Sequence, residues 1–208
     1  MRAGAVMQSK ILWMETIMRN SLILLVAVTA CLGQVAMADV LTGKAAKKAL
    51  FTDSEVAVEV TKHSFLVDQQ PQIVGSVASQ QPYYGAIAVS PDEGLMSEAT
   101  LAAANYHSVE AASVAALAGC DAVRKGAAPC VIVALVRPKG WEARPIQLSA
   151  DATVAFRKDY DGKGAALAVS AGTGTWGMAK GENASAAALA ACSAKLTGPT
   201  DCTVIVMD

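Results

Sequence analysis

Two copies of one pattern, each carrying a pair of cysteines ten residues apart, constrain this chain more than any other feature. Residues 85–90 (GAIAVS) match residues 165–170 (AALAVS) at an offset of 80. Further along, residues 110–120 (EAASVAALAGC) match 182–192 (ENASAAALAAC) at an offset of 72. The stretch CVIV from Cys130 matches CTVI from Cys202 at the same 72, so the second copy is eight residues shorter in its middle. Matched blocks in one order mark an internal duplication. Each copy reads strand, turn, strand, helix, strand. The apolar strands, such as Ile87-Ala-Val89 and Val131-Ile-Val133, need a covered face, and one small-residue helix covers only part of a sheet. The expected fold is α+β: two tandem β-β-α-β repeats, 85–136 and 165–208, sharing one mainly antiparallel sheet and core with the helices packed on one face.

The amino terminus reads as an export signal. Arg19 and Asn20 precede an uncharged apolar run, 21–32 (SLILLVAVTACL), and Ala36-Met-Ala38 supplies an Ala-x-Ala cleavage site. The run falls short of the about 20 apolar residues that span a bilayer, so no transmembrane segment is expected after cleavage at Ala38. Met18 could open such a signal by itself, which leaves Met1 and Met18 as alternative starts. Val28-Thr-Ala-Cys31 resembles a lipobox, and a lipid anchor at Cys31 is the alternative to cleavage. The reading places the protein in the periplasm or outside the cell.

Five cysteines become four after cleavage: Cys120, Cys130, Cys192 and Cys202. In an exported chain these imply disulfides. Four cysteines allow three pairings, and the equal gaps favour Cys120–Cys130 and Cys192–Cys202. Free buried thiols are the alternative. A metal site is disfavoured because neither C-x-x-C nor a histidine pair accompanies the thiols.

The mature chain has 170 residues with 14 basic and 17 acidic side chains, a formal −3. That balance argues against a nucleic-acid partner, which normally selects a basic face. Across the whole chain 53% of residues are hydrophobic but only 5% aromatic, and alanines separate the larger aliphatics. Such side chains build thin, closely approaching layers.

Ser108 is placed to cap a helix over 109–120, with Glu110 in its first turn. Ala116, Leu117 and Cys120 share one side of it, as Ala188, Leu189 and Cys192 do in the second copy. Residues 91–94 (PDEG) read as a turn and 95–104 as a strand. In the N-terminal segment, 39–84, Thr42 caps a short helix and residues 55–60 alternate like a strand with an exposed face. Residues 69–79 read as a helix opened by Asp68, with Pro71 in its first turn. Residues 137–164 connect the copies through a loop and a helix. Ser149 caps that helix, Ala152, Phe156 and Tyr160 share a face, and Gly162 ends it.

Candidate chemistry is sparse. A Ser-type hydrolase needs a histidine beside a nucleophile and a carboxylate. His107 reads instead as an exposed strand-to-helix corner, and His63 as a solvated strand end. Residues 172–177 (GTGTWG) lack the Lys-Ser/Thr ending of a phosphate loop and align with the turn at 91–95. Asp151, Asp159 and Asp161 are too irregular for a calcium loop. The candidate binding residues are Tyr83, Tyr84, Tyr106, His107, Trp141, Arg144 and Trp176, since aromatics and arginine concentrate at binding hot spots. Burial of Trp141 and Tyr84 under their own loops is the structural alternative. The partner is a protein or a small ligand of unknown identity. A small hydrolase with a site between the repeats is the competing function. A cleft joining His107 to a buried carboxylate and an exposed hydroxyl would favour it, whereas aromatics on the rim of a closed core favour binding.

The pattern YGAIAVS, a small-residue helix ending in cysteine, then CVIV resembles the secreted bacterial domain-of-unknown-function family 4189, over 84–136 and again over 165–208. The resemblance implies export and a disulfide-closed α/β unit, and it implies no catalytic residue. The longer stretch from QPYYGAIAVSPDEGLMSEAT to RPKGWEARP is similar to small exported bacterial proteins that sometimes carry a 5-aminolevulinate synthase label. Such a synthase requires a pyridoxal phosphate domain with a Schiff-base lysine and a phosphate-binding loop. Two short repeats in 170 residues leave no room for one, and no cofactor is expected.

The export reading has a direct check. Amino-terminal sequencing of the protein from the cell-envelope fraction should begin at Asp39. Intact residues 1–38 on cytoplasmic protein would contradict it.

Overall fold

A computed structural model describes residues 40–51, 55–197 and 200–208. The segment read as an export signal, the expected cleavage site and Cys31 lie outside the described residues. Among those described, five helices and seven strands alternate. They are α1 (Gly43–Ala49), β1 (Val56–Val60), α2 (Gln70–Ala78), β2 (Gly85–Val89), β3 (Leu101–Ala103) and α3 (Val109–Val123). There follow β4 (Val131–Pro138), α4 (Ala150–Asp159), β5 (Ala165–Ser170), β6 (Trp176–Lys180), α5 (Ala184–Ser193) and β7 (Cys202–Met207). The class is α+β, and each copy has the β-β-α-β order. No helix among the described residues is long and apolar enough to cross a membrane.

The strands form two antiparallel sheets rather than one continuous sheet. The first has the order β1-β4-β2-β3 and the second β6-β5-β7. The physical reason lies in the central strands. Every residue of β2 and of β5 is buried, so both faces of each sheet need cover. Ile87 and Val89 pack with Val74 and Ala78 of α2, while Ala86 and Ala88 meet Ala112, Ala116 and Cys120 of α3. In the second sheet Leu167 and Val169 pack with Phe156 and Tyr160, and Ala166 and Ala168 meet Ala184, Ala188 and Cys192 of α5. Helices therefore cover both faces of each sheet, not one. The outer side of β4 is taken by β1, and Leu41 bridges to Val206 on the outer side of β7. Those flanks leave no edge through which β4 and β7 could join.

The structural repeat is longer than the text match. α2 and α4 begin 80 residues apart, the same offset as β2 and β5. A register shift falls between Ile87 and Ala88 in one sheet and between Leu167 and Ala168 in the other, again 80 apart. A bulge at one equivalent place in both copies is a feature of the unit, not an accident of one half.

Both disulfides join neighbours in the chain, Cys120–Cys130 and Cys192–Cys202, with Cα–Cα distances of 6.1 and 6.2 Å. Each links a buried helix position to the head of the next strand. Around the first bridge, carboxylates accept the loop's backbone N–H groups. Glu93 takes Lys125 and Gly126, Asp92 takes Ala128, and Asp121 takes Cys130. These bonds hold the Glu93 and Asp121 carboxyls below their usual range.

Local signals decide most helix starts. Thr42, Ser108 and Ser149 accept from the N–H three residues on. Asp68 does not open α2; it adopts φ 53°, and Gln69 occupies the cap without a side-chain bond. The strand read over 95–104 shrinks to Leu101–Ala103, because the Pro91 turn continues through further turns held by Thr100 Oγ1 on the Leu95 carbonyl. In the second copy residues 171–175 make the corresponding turn in far less chain.

The two alanine layers differ in one contact. Register makes Gly177 the counterpart of Leu101, and the helix residue facing Leu101 is Gly119. A Cβ on Gly177 would stand 2.3 Å from the Ala188 carbonyl oxygen and 2.4 Å from the Cys192 nitrogen, so here α5 rests on the strand backbone itself. Replacement G177A should destabilise the protein by about 1–3 kcal/mol, the usual cost of overpacking. In G75A the new methyl meets only Val60 at 3.5 Å inside α2, so that variant should gain about 0.5–1 kcal/mol. Denaturant unfolding of the two variants checks the contrast.

Candidate functional site

The candidate residues read from the sequence divide among three places. Tyr83 and Tyr84 sit at the foot of β2, 4% and 1% exposed, with their rings edge-on at 5.5 Å. They pack with Val109 of α3 and with Val56, Leu135 and Ala150, and the Ala150 N–H donates to the Tyr83 carbonyl. This is the seam between the repeats. The Trp141 side chain lies near the Tyr84 hydroxyl. Burial pushes the Tyr84 phenol up to about 12, with Trp141 pulling the other way. The Trp141 ring lies under the Arg137 guanidinium at 5.1 Å. Arg144 stacks on Phe51 at 3.7 Å and donates to the Ala49 carbonyl at the end of α1. Tyr83, Tyr84 and Trp141 thus meet at one seam, where the tyrosines offer little surface to a ligand, and Arg144 anchors α1 nearby.

The second place is His107, which is buried rather than an exposed corner. Its Nδ1 accepts the Ser149 N–H at 2.9 Å, and its Nε2 lies 2.9 Å from the Thr175 carbonyl oxygen. Because Nδ1 accepts and Nε2 must donate, the neutral Nε2–H tautomer is fixed. The backbone N–H of His107 donates to Thr173. Burial holds the imidazole below its usual range, against the Thr175 hydrogen bond and the charge of Asp201. Both ring nitrogens are committed to backbone, so neither faces a hydroxyl that it could activate. Tyr106, next in the chain, packs half-buried against the α3 layer. His63 is likewise not a free strand end: its Nε2 reaches the Ile132 carbonyl at 2.9 Å and its ring stacks on Phe65.

Trp176 stands apart from all of these. It begins β6, an edge strand, and with Met178 it flanks the core beneath α4. Trp176, Met178, Ala165 and Tyr160 line a solvent-open groove of about 320 Å³. Asp159, Asp161 and Lys180 also line it, and the last two pair with each other. Lys195 donates to the Trp176 carbonyl and lies 4.2 Å from the ring centroid, which fixes the indole at the rim. The Tyr160 hydroxyl donates to the Ala165 carbonyl, so its ring presents an apolar wall. In the first copy Ala102 occupies the place of Met178. A second depression, by Gly164, Gly181, Ser185 and Met207, has no aromatic lining.

Sequence reading found Trp176 but not its companions. Phe156 and Tyr160 were recognisable as a helix face, yet only the β5–β6 register brings Met178 and Lys180 beside Tyr160. Arg157 also went unread: its Nη2 donates to the Leu50 carbonyl and lies within reach of the Lys47 and Phe51 carbonyls, closing α1 from the far side.

No family model, curated protein or solved structure matches this chain.

Burial of the Tyr84 phenol gives a pH prediction. A phenol whose folded value is raised stabilises the fold below its ordinary pKa near 10 and loses that contribution as pH rises toward 12. From neutral pH upward, the Tyr84 contribution should therefore stay level to about pH 10 and then fall. In Y84F the step should shrink, because the phenylalanine ring does not titrate, while the midpoint near neutral pH sets the baseline for the comparison. Urea midpoints across the pH range measure both.

Proposed function

We propose that this is an exported, non-catalytic binding protein that takes a small, largely apolar or aromatic ligand in the groove beside β6. The observation that carries the reading is the groove itself, where the half-buried indole of Trp176 and thioether of Met178 reach open solvent above the buried Tyr160 ring. Apolar and aromatic walls with a few polar groups at the margin are the usual make-up of a small-molecule site. The contrast between copies supports it, since Met178 stands where the first copy has Ala102. Two disulfides fit an oxidising compartment, periplasmic or extracellular, and agree with the Arg19 to Ala38 signal pattern. The same reading takes the two disulfide-closed units as two copies of the secreted family 4189 unit. A hydrolase built on His107 is disfavoured, because its ring nitrogens serve the backbone of Ser149 and Thr175.

The neutral fluorescent probe 1-N-phenylnaphthylamine tests the site. It should bind saturably at one site per chain. W176A should weaken binding about tenfold, or about 1.4 kcal/mol, while W141F, altered at the seam, should leave it unchanged. Equal affinity for the wild type and W176A would remove the groove as the binding site.

A further inference from the structure

His107 makes the seam between the repeats depend on a proton. Three backbone groups from the second half of the chain converge on this one residue: Ser149 N–H on Nδ1, the Thr175 carbonyl on Nε2 and the Thr173 carbonyl on its own N–H. Ser149 is the cap of α4, and Thr175 is the last residue before β6. The fit between the halves is close: a Cβ on Gly174 would stand 1.8 Å from the Asn105 carbonyl oxygen. The Asn105 side chain also donates to the Asp151 carboxylate and accepts the Asp151 backbone N–H, in the first turn of α4.

We propose that His107 is a proton-operated latch: neutral, it fastens the first repeat to the start of β6 and the cap of α4, and protonated, it releases them. The chemistry is that of one atom. Neutral Nδ1 accepts the Ser149 N–H; once protonated it is a donor facing a donor, and that bond cannot exist. The carboxylates on the surrounding elements are Glu110 in the first turn of α3, Asp151 in that of α4, and Asp201 ahead of β7. Asp151 is engaged by Asn105. Asp201 draws the proton toward the ring. Burial works against the Asp201 charge, but the Ser170 hydroxyl and the Gly172 N–H outweigh it and hold its carboxyl low. Burial of the imidazole in turn outweighs the pull of Asp201. The sign follows: a histidine whose folded value is depressed keeps the seam closed above its ordinary value near 6.5, and closure is lost as pH falls toward the folded value.

The latch joins elements that also wall the β6 groove, but its test needs no ligand. Amide hydrogen exchange on the full chain, corrected to protection factors, is followed from pH 7.5 to 5.5. With an open-state value near 6.5, protection of the Ser149 and His107 amides should fall over that span, by at most about tenfold, while the Ala88 and Val133 amides of the first sheet hold. In H107Q, which retains an acceptor and a donor but does not titrate, Ser149 protection should be flat with pH. Should H107Q not fold, the wild-type profile decides alone, with ¹⁵N shifts of the His107 ring reporting Nε2–H at pH 7.5 and protonation in step with the loss at Ser149. Unchanged Ser149 protection across the range, an H107Q profile that still falls, or a uniform loss that includes Ala88 and Val133 would overturn the latch.

Discussion

The burial of both faces of β2 and β5 is the constraint on which the other elements depend. A strand that is apolar on alternate residues can leave one side to water; these two cannot, because every position is covered. Each sheet must therefore be sandwiched, and the chain supplies a helix before and a helix after each central strand. That requirement also settles why the copies do not merge their sheets. A merged sheet with its helices on one face would leave Ile87, Val89, Leu167 and Val169, or the alanines opposite them, without a partner.

The two sides of each sandwich follow different physics. On one side, branched and aromatic residues fill a thick layer: Leu66, Val74 and Val136 in the first half, Leu148, Phe156 and Tyr160 in the second. On the other side, alanines and a half-cystine let helix and sheet approach until backbone nearly meets backbone, as at Gly177. Burial of so little side chain per residue yields little hydrophobic stabilisation, and each thin layer is the one that carries a disulfide. The cross-link adds stability through the unfolded chain, where a thin layer cannot supply it. The thick layers diverge more between the copies, and the aromatic groove arises there.

What the sequence made legible was local. Cysteine spacing, the caps at Thr42, Ser108 and Ser149, and the turn read over 172–177, which ends at Thr175 just before β6 begins, each depend on residues within a few positions of one another. What it did not reveal depends on register and docking. His107 was legible as the corner before a capped helix, but its burial comes from the 171–175 turn, which reaches it from about 70 residues away. The same holds for Arg144 and Arg157, whose partners are the carbonyls at the end of α1. Tyr83 and Tyr84 stood out as scarce aromatics in an alanine-rich chain, and scarcity is equally the mark of a residue that fills a large gap. The second helical layer was hidden for another reason. α2 and α4 keep their positions in the two copies, but QPQIVGSVA and ADATVAFRKD share almost no residues.

Each bridge joins a cysteine to the next one along the chain, and that order matters for how the protein is made. A polypeptide that emerges amino terminus first into an oxidising space presents Cys120 and Cys130 some sixty residues ahead of Cys192 and Cys202. The first pair can close while the second is still out of reach, so the wrong partners are absent when the right ones meet. Pairing in order of appearance needs no later exchange of thiols. The duplicated architecture thereby keeps each bridge inside its own half, and a chain meeting an oxidant amino terminus first would complete the two oxidations in sequence.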